Sequence, residues 1–220
     1  MANLRKLAWL LRARSFRVLA RLLGRWLWSD VTAYGLQRPL DEPIPARRPR
    51  IPVTIRPLRA GEEGEFTRTP GAMPDDTLVR VNARHLLESG LETCYVGVTA
   101  EGEPCYMQYL VLPEANDRLE AAFGGLIPPL EDGDALLEFA FTVERYRAAG
   151  IMPLAVRELG LQAGRDGAQR LVTYIPEWNP HVLRFFRRIG FEPFVIRRER
   201  YRLLRQRIWF EELSADDSDV

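Results

Sequence analysis

The sequence predicts an α+β fold to which an amphipathic helix is added at the amino-terminal end. Two observations lead to this prediction. From residue 53 onward, short runs of β-forming residues alternate with segments of helical periodicity. Before them, apolar residues over positions 3–28 recur every three or four residues, and arginines occupy most of the other positions. A chain of 220 residues is long enough for one sizeable domain and an appendage.

The first predicted element, assigned to residues 1–30, is a basic amphipathic helix. Its longest unbroken apolar run, Leu7 to Leu11, is far shorter than the roughly twenty residues that cross a bilayer. Its arginines and tryptophans suit an anionic membrane surface, at the inner face of the membrane. Equally, the apolar stripe of residues 3–28 can pack on its own domain or on a second subunit of a homodimer. The sequence leaves these alternatives open.

Residues 31–51 are predicted to form a linker. Pro43, Pro45 and Pro49 together with Arg47-Arg48 are typical of a stiff, exposed segment. The folded domain is therefore predicted over residues 52–213, and the acidic tail, residues 214–220, is predicted to be disordered.

The domain is predicted to contain strands and helices in a definite order. The predicted strands are 53–58, 93–99, 104–112, 136–143, 170–176, 191–197 and 201–210, and the predicted helices are 77–89, 153–163 and 180–189. Three prolines and three glycines over residues 113–134 predict a long irregular connection.

One strand-to-helix connection has the composition of a phosphate site. The β-forming run Leu136 to Val143 continues through Glu144-Arg145-Tyr146-Arg147-Ala148-Ala149-Gly150 into the next helix. Such a turn directs backbone N–H groups and the positive end of the helix dipole at one point. Gly150 permits close backbone approach, and Arg145 and Arg147 offer forked donors to phosphate oxygens. The alternative interpretation is an ordinary turn with solvated arginines.

A second block follows about thirty residues later. Asn179 is a good N-cap, Pro180 suits the first helical position, and Gly190 ends the helix. The helix between them has an apolar face that includes Phe185 and Phe186. A capped helix of this kind is common in α/β proteins. A capped helix that follows the first block at this distance is much less common.

Together, the two blocks resemble the cofactor-binding core of the GNAT superfamily, the acyl-CoA-dependent N-acyltransferases. The resemblance covers about Pro52 to Leu213, although its specific residues lie in the second half. It implies a mixed, mostly antiparallel central sheet flanked by helices (an α/β three-layer fold), acetyl-CoA or another acyl-CoA as co-substrate, and a small amine or amino-sugar as acceptor. The residues implied to bind the cofactor are Phe141, Thr142, Val143, Arg145, Arg147, Ala148, Ala149, Gly150, Ile151, Asn179 and Phe186.

The sequence departs from the family pattern at two positions. Met152 stands where a small residue is usual, and Phe186 replaces the tyrosine that can protonate the leaving thiolate. These departures motivate an alternative, a GNAT-like binding module that has lost catalysis. The basic helix motivates another, a membrane-associated acyltransferase that takes longer chains from acyl-CoA or acyl carrier protein.

Glu138 is the candidate general base. A carboxylate within a β-forming core run requires an explanation, and a base is one. Strand alternation places Glu138 with Ala140 and Thr142, on the face opposite Phe141 and Val143. The alternative is a structural ion pair with an arginine of a neighbouring element.

The cysteine and histidine content and the net charge argue against a disulfide, a metal site and a nucleic-acid partner. The two cysteines, Cys94 and Cys105, are predicted in paired strands with a register that does not join them, which fits a reducing cytoplasm. With only His85 and His181 besides, no metal-ligand spacing occurs, and no metal is expected. No nucleic-acid partner is expected either, because the net charge is only +1 and no reading motif is present.

Overall fold

A computed structural model of the chain describes residues 9, 11, 16–45, 47–68, 74–91 and 93–213. The helices are α1 (Phe16–Leu27), α2 (Gly64–Thr67), α3 (Pro74–Leu87), α4 (Asn116–Phe123), α5 (Ile151–Arg165) and α6 (Pro180–Arg188). The strands are β1 (Trp28–Pro39), β2 (Val53–Pro57), β3 (Cys94–Thr99), β4 (Pro104–Val111), β5 (Asp134–Thr142), β6 (Arg170–Pro176), β7 (Glu192–Arg202) and β8 (Arg205–Glu211). The predicted tail 214–220 lies outside the described residues, as does most of the sequence before Phe16.

The eight described strands form one sheet in the order β2-β3-β4-β5-β6-β1-β7-β8. Every neighbouring pair is antiparallel except β5 and β6, which are parallel. Helices α3 and α4 cover one face, where Leu119 packs in the same cluster as Leu136. Helices α5 and α6 cover the other face, where Leu159 packs with Leu137. The prediction of a mixed, mostly antiparallel sheet between helices is confirmed.

Strand β1 corrects the predicted linker. Residues 31–39 do not connect two elements but lie in the middle of the sheet, with Ala33 opposite Pro176 of β6 and Tyr34 opposite Ile196 of β7. The run Val31-Thr32-Ala33-Tyr34 contains β-forming residues, and the prolines cluster only after it. The sheet therefore includes residues well before position 52.

The remaining part of that segment, residues 40–45 and 47–51, is mostly exposed but is attached to the domain at several points. Ile44 is 7% exposed and lies so close to α5 that a Cβ on Gly160 would be 2.7 Å from its Cδ1. The Arg38 guanidinium donates to the carbonyl oxygen of Glu42, and the N–H of Arg50 donates to that of Ala149 at 2.7 Å. Prolines here shape a segment that follows the surface of α5.

Helix α1 packs against its own domain along one face. Val18, Leu22 and Trp26 are buried with Val81 of α3 and Tyr201 of β7. The described part of the helix predicted over 3–28 is therefore docked by intramolecular contacts. No helix among the described residues is long and apolar enough to cross a membrane.

Helix α4 occupies part of the segment predicted to be irregular. Leu119 and Ala122 are its buried residues. The Asn116 side chain joins both backbone groups of Leu130, accepting from the N–H at 2.8 Å and donating to the carbonyl oxygen at 3.0 Å. A helix of eight residues is too short to show a clear period, which explains why the prediction was wrong here.

The β7–β8 hairpin closes through an unusual turn. Its central residues, Leu203 and Leu204, have φ angles of 49° and 67°. A non-glycine residue in this left-handed region costs about 1–2 kcal/mol, and two-residue hairpin turns prefer Asn-Gly for that reason. The N–H groups of Leu203 and Leu204 donate to the carbonyl oxygens of Leu27 and Trp26, both at 2.9 Å. The turn is thus held against the end of α1.

Candidate active site

Strands β5 and β6 separate to form a wedge in the sheet. They pair only where Asp134–Leu136 meets Arg170–Val172. Beyond Leu136, no residue of β5 is paired with β6. The gap opens toward the carboxyl end of β5, where the chain continues into the predicted phosphate loop. Unpaired backbone groups of β5 therefore line one wall of a cleft.

A bulge in β5 changes which side chains share a face. Glu138 lies opposite Tyr109 of β4, whereas Phe141 lies opposite Met107, so β5 has one residue more than its partner over this stretch. Phe139, with a φ of 54°, marks the bulge. Glu138 therefore shares its face with Leu136 before the bulge and with Phe141 after it. The predicted alternation, which placed Glu138 opposite Phe141, is wrong because strict alternation ignores the extra residue.

The same bulge determines which backbone donors face the wedge. The N–H of Val143 donates to the carbonyl oxygen of Cys105 at 3.0 Å, toward β4. Because N–H groups of a strand alternate in direction, that of Phe141 also points to β4, and those of Ala140 and Thr142 point into the wedge. The donors available to a ligand there are those of Ala140 and Thr142. Phe141 and Val143, which the resemblance implied to bind the cofactor, thus direct their N–H groups toward β4.

Glu138 is a carboxyl group with an elevated proton affinity. Burial raises its pKa to about 7, against the smaller opposing effects of a hydrogen bond from the Phe139 N–H and the charge of Arg197. Among the described residues, no basic side chain lies within ion-pair distance of Glu138. The structural ion pair considered as an alternative is therefore not formed. A pKa near neutrality is what a general base requires.

Arg197 of β7 lies behind this carboxyl group. It is 9% exposed, and its Nη1 donates to the carbonyl oxygen of Leu126 at 2.8 Å, while its buried Nε has no partner among the described residues. Its guanidinium carbon lies 5.8 Å from the ring centroid of Tyr174. Burial lowers the pKa of Arg197, and the charge of Glu138 opposes that change.

Gly35 of β1 leaves room for the side chains of Tyr174 and Val195 to pack over β1. It lies between Tyr174 of β6 and Val195 of β7 in the strand register. A Cβ at Gly35 would be 2.5 Å from Val195 Cγ1 and 2.9 Å from Tyr174 Cε1, which real Cβ atoms do not tolerate. Glycine is therefore required at this position for the observed packing.

The loop between β5 and α5 has the backbone of an anion site. Ala148 and Gly150 have φ angles of 62° and 76°, and they alternate with residues of negative φ. Such alternation curves successive N–H groups around one point. Helix α5 begins at Ile151, so the N–H groups of its first turn have no intrahelical partner and lie at the positive end of the dipole.

The arginines of this loop are held by carboxylates of α2, α3 and the β3–β4 turn. Arg145 donates to Glu65 at 2.7 Å and to Glu103 at 3.2 Å. Arg147 donates to Asp76 at 2.5 Å through one nitrogen, and its side chain remains 49% exposed. The guanidinium of Arg147 carries further donors for a phosphate group. Arg145, by contrast, is already shared by two carboxylates.

Met152 does not crowd the loop. Its side chain packs against the clusters beneath α5, together with Val156 and Ala155. The proline-rich segment lies beside Gly150 instead, since Pro49 Cα is 3.6 Å from the position of a Cβ on Gly150. The curved backbone and the free donors of Arg147 fit a diphosphate, and the wedge fits an extended chain with amide groups.

Two further predicted contacts, Asn179 and Phe186, differ from expectation in detail. The Asn179 side chain makes no capping hydrogen bond, although its backbone oxygen accepts from the N–H of Leu183 at 3.1 Å. Phe186 is 1% exposed and packs edge-on against Phe185 and Phe191, with centroids 5.2 and 4.9 Å away. Phe186 is thus a core residue that supplies no proton donor.

A cavity of about 360 Å³ adjoins the bulge and was not predicted. It lies between α1, α3, α4 and the β7–β8 hairpin. Polar lining groups include Asn82, His85, Gln206 and the 5% exposed Glu199, and Phe139 forms part of its wall. Glu199 accepts hydrogen bonds from Gln206 at 3.0 Å and from Arg25 at 3.5 Å. These residues are far apart in the sequence, so no motif could have indicated them.

Comparison with known proteins bears on the fold. No protein-family model and no curated protein matches the sequence. A GCN5-related glucosamine N-acetyltransferase region in a fungal multi-domain GH3 β-N-acetylglucosaminidase superposes with a TM-score of 0.57 at 14% identity, over 84% of this chain and 22% of that one. A tandem GNAT protein from the clavulanic acid biosynthesis pathway gives 0.52 at 14% identity, over 88% and 57%. This chain has the GNAT fold.

Within the GNAT fold, one strand connects all parts of the candidate site. Glu138, the wedge-facing donors of Ala140 and Thr142, and the loop that ends at Gly150 follow one another along β5 and its extension. Among the described residues, no group of three histidine, cysteine or acidic side chains could hold a metal ion. The chain spans only about a fifth and somewhat more than half of the two solved chains described above.

Proposed function

We propose that the chain is an N-acyltransferase that uses an acyl-CoA, most simply acetyl-CoA, as its co-substrate. The observation that supports this function best is the wedge between β5 and β6, which exposes backbone donors beside a carboxyl group whose pKa is raised to about 7. The cleft thus places the backbone donors of β5, which can bind a cofactor, beside Glu138, which can act as a base. The resemblance of the fold to solved N-acetyltransferases gives further support.

The diphosphate of coenzyme A is assigned to the loop before α5. Ala148 and Gly150 curve the backbone donors, Ile151 begins the helix whose positive end faces the site, and Arg147 supplies the charged contact. The pantetheine amides are assigned to the backbone of Ala140 and Thr142 in the wedge. When bound, the thioester supplies an activated acyl carbonyl carbon.

Glu138 accepts the proton from the attacking amine. A carboxyl group with a pKa near 7 is ionised in a large fraction of molecules at neutral pH. Its carboxylate is also a stronger base than an ordinary one, so it can take a proton from the amine during the reaction. The N–H groups that face the wedge can polarise the acyl oxygen as negative charge develops on it. The base and the donors are thus on the same strand, at fixed spacing.

The leaving sulfur does not require a protein acid in this site. Phe186 has no proton to give, and burial raises the pKa of Tyr174 above its ordinary value. A phenol with a raised pKa is a weaker acid than a thiol, whose ordinary pKa is about 8.5. The thiolate therefore leaves as an anion, and Tyr174 contributes packing rather than a proton.

The acceptor, a small amine or an amino-sugar, is assigned to the cavity beside Phe139. Its polar groups, Asn82, His85, Glu199 and Gln206, suit a ligand that carries hydroxyl groups together with its amine. The solved fungal region that shares the fold is described as a glucosamine N-acetyltransferase, which supports the amino-sugar class for this chain.

Free-thiol release with a panel of acyl-CoA donors and amine acceptors tests the proposal. Thiol release that depends on an amine, and that falls at least about a hundredfold in Glu138→Gln, is the expected result. Coenzyme A should also raise the melting temperature, because it binds only the folded state. A melting shift without any acyl transfer would instead identify a binding module that has lost catalysis. Absence of both at millimolar ligand contradicts the proposal.

A further inference from the structure

The end of α1 and the β7–β8 turn form a contiguous exposed apolar surface, here named the apolar tip. It consists of Leu27, Trp28, Leu203 and Leu204, which are 49%, 69%, 77% and 63% exposed. The hydrogen bond from the N–H of Leu203 to the carbonyl oxygen of Leu27 makes the two segments neighbours. Single exposed apolar residues are common, but four adjacent ones are not.

The outer side of α1 extends this surface. Phe16, Leu23 and Leu27 are spaced by seven and four residues, so they lie on one stripe of the helix, and the first two are 64% and 38% exposed. The stripe is separate from the face that packs against α3 and β7. Helix α1 is therefore apolar on two sides, of which the described residues cover only one.

The conformation of the turn indicates that its leucines serve a purpose beyond closing the hairpin. Leu203 and Leu204 hold positive φ angles that favour asparagine and glycine, and their side chains gain little burial in return. Unfavourable local choices of this kind are found where a surface has a function. Both leucines are presented at the outermost point of the hairpin.

Basic residues flank the apolar tip along the hairpin. They are Arg202 on β7, directly before the turn, and Arg205 and Arg207 on β8, after it. The guanidinium carbon of Arg202 lies 3.8 Å from the centroid of the Trp28 ring. Asp30 pairs with Arg202 and also with Arg200, so one carboxylate is shared by two guanidinium groups. Arg205 and Arg207 form no ion pair with any described residue.

We propose that the apolar tip and its arginines bind an anionic lipid bilayer. Tryptophan and leucine side chains enter the boundary between headgroups and acyl chains, and arginines contact lipid phosphates. Charge favours this occupant over a second copy of the chain. A two-fold interface through the tip would place each arginine group close to its own copy, where like charges repel. An anionic surface, by contrast, is complementary to every arginine around the tip.

Binding of a bilayer to the outer side of α1 would place the membrane close to the cavity beside the bulge. Leu22, Arg25 and Trp26 on the inner side of α1 line that cavity, while Leu23 and Leu27 on the outer side extend the apolar tip. A bilayer that holds α1 therefore lies one helix diameter, about 10 Å, from the cavity wall. Acceptors concentrated at a membrane surface would then have a short path to the cavity.

Co-sedimentation of the full chain with vesicles tests the proposal. Vesicles of phosphatidylcholine alone are compared with vesicles that also contain phosphatidylglycerol, and we expect binding to the second kind that falls at least about fivefold in 0.5 M salt. Trp28→Ala should weaken this binding about tenfold. Trp178→Ala is the matched control, because Trp178 is 70% exposed but lies between β6 and α6, outside the residues that form the tip.

A double variant separates binding from folding. Leu203→Asn with Leu204→Gly gives the turn its preferred residues, so the melting temperature should be unchanged or higher while vesicle binding is lost. Equal binding to neutral vesicles, equal losses in the two tryptophan variants, or no binding at all would overturn the proposal. So would a dimer in solution, measured by light scattering, that the double variant abolishes.

Discussion

Arg147 donates a hydrogen bond of 2.5 Å to Asp76 and thereby joins the loop before α5 to α3. Asp76 is nearly buried, with a side chain 6% exposed, whereas the Arg147 side chain is 49% exposed. The buried carboxylate positions the guanidinium and leaves part of it accessible. An arginine held in this way needs little reorganisation to contact a phosphate.

Arg147→Ala is expected to weaken acyl-CoA binding. The KM for acyl-CoA should rise about tenfold with little change in kcat, since a hydrogen bond to a charged group contributes roughly 1.5–3 kcal/mol. Steady-state kinetics and calorimetric titration of coenzyme A measure the effect. Arg165→Ala, at the opposite end of α5, is the control and should retain the wild-type KM. Equal KM values in the two variants would show that Arg147 does not contact the phosphates of acyl-CoA.

Glu138→Gln is expected to change how stability depends on pH. The pKa of Glu138 is about 7 in the folded state and 4.5 ordinarily, so between these values the folded state retains a proton that the unfolded state has lost. The free energy of unfolding should therefore fall as pH rises from about 4.5 to about 7, by up to about 3 kcal/mol, and stay level above. Urea unfolding between pH 5 and 8 measures this slope.

The glutamine variant cannot ionise, so its slope should be smaller than that of the wild type, and at pH 8 it should be the more stable protein. Glu177→Gln, at an exposed position, is the control and should keep the wild-type slope. The catalytic counterpart is a kcat/KM that rises toward pH 7 in the wild type as Glu138 ionises. Identical slopes in all three proteins would show that Glu138 is not buried as described.

Tyr174→Phe should have only a small effect on the reaction. If the thiolate leaves without a protein acid, removal of the hydroxyl group should lower kcat less than tenfold, far less than Glu138→Gln does. Single-turnover rates of thiol release compare the two variants. A loss of a hundredfold or more in Tyr174→Phe, with an unchanged melting temperature, would make Tyr174 the proton donor.

Gly35→Ala should destabilise the fold. The added methyl group would lie 2.5 Å from Val195 Cγ1, and overpacking of this kind costs about 1–3 kcal/mol. Gly24→Ala is the matched control, because nothing lies within 4 Å of a Cβ there and alanine favours the helix by about 0.5–1 kcal/mol. Thermal melts should shift in opposite directions. A Gly35→Ala protein that melts like the wild type would contradict the close packing over β1.

Local patterns predicted the second half of the fold well. Strand β6 and helix α6 begin at the predicted residues, Arg170 and Pro180, because each is bounded by strong turn or cap residues. The candidate base, Glu138, could be found because a carboxylate is unusual in an apolar run. Its strand was also predicted, since β5 contains a short apolar run with two aromatic residues, Phe139 and Phe141.

Features that depend on distant contacts could not be predicted. The bulge at Phe139 has no glycine to mark it, so alternation placed Glu138 on the wrong face. The cavity residues His85 and Glu199 come from α3 and β7 and meet only in the folded chain. Strand β1 was missed because prolines after Pro39 dominate the composition of its neighbourhood.

The central position of β1 has a consequence for the order of folding. Ala33 pairs with Pro176 and with Arg197, residues more than 140 positions later. Contacts of such long sequence separation form slowly, since the chain between them must first be brought together. During synthesis, both edges of β1 can be paired only after β7 has been made. The pairing of β1 with Arg197 and its strand is therefore the last to form, and until then β1 keeps at least one open edge.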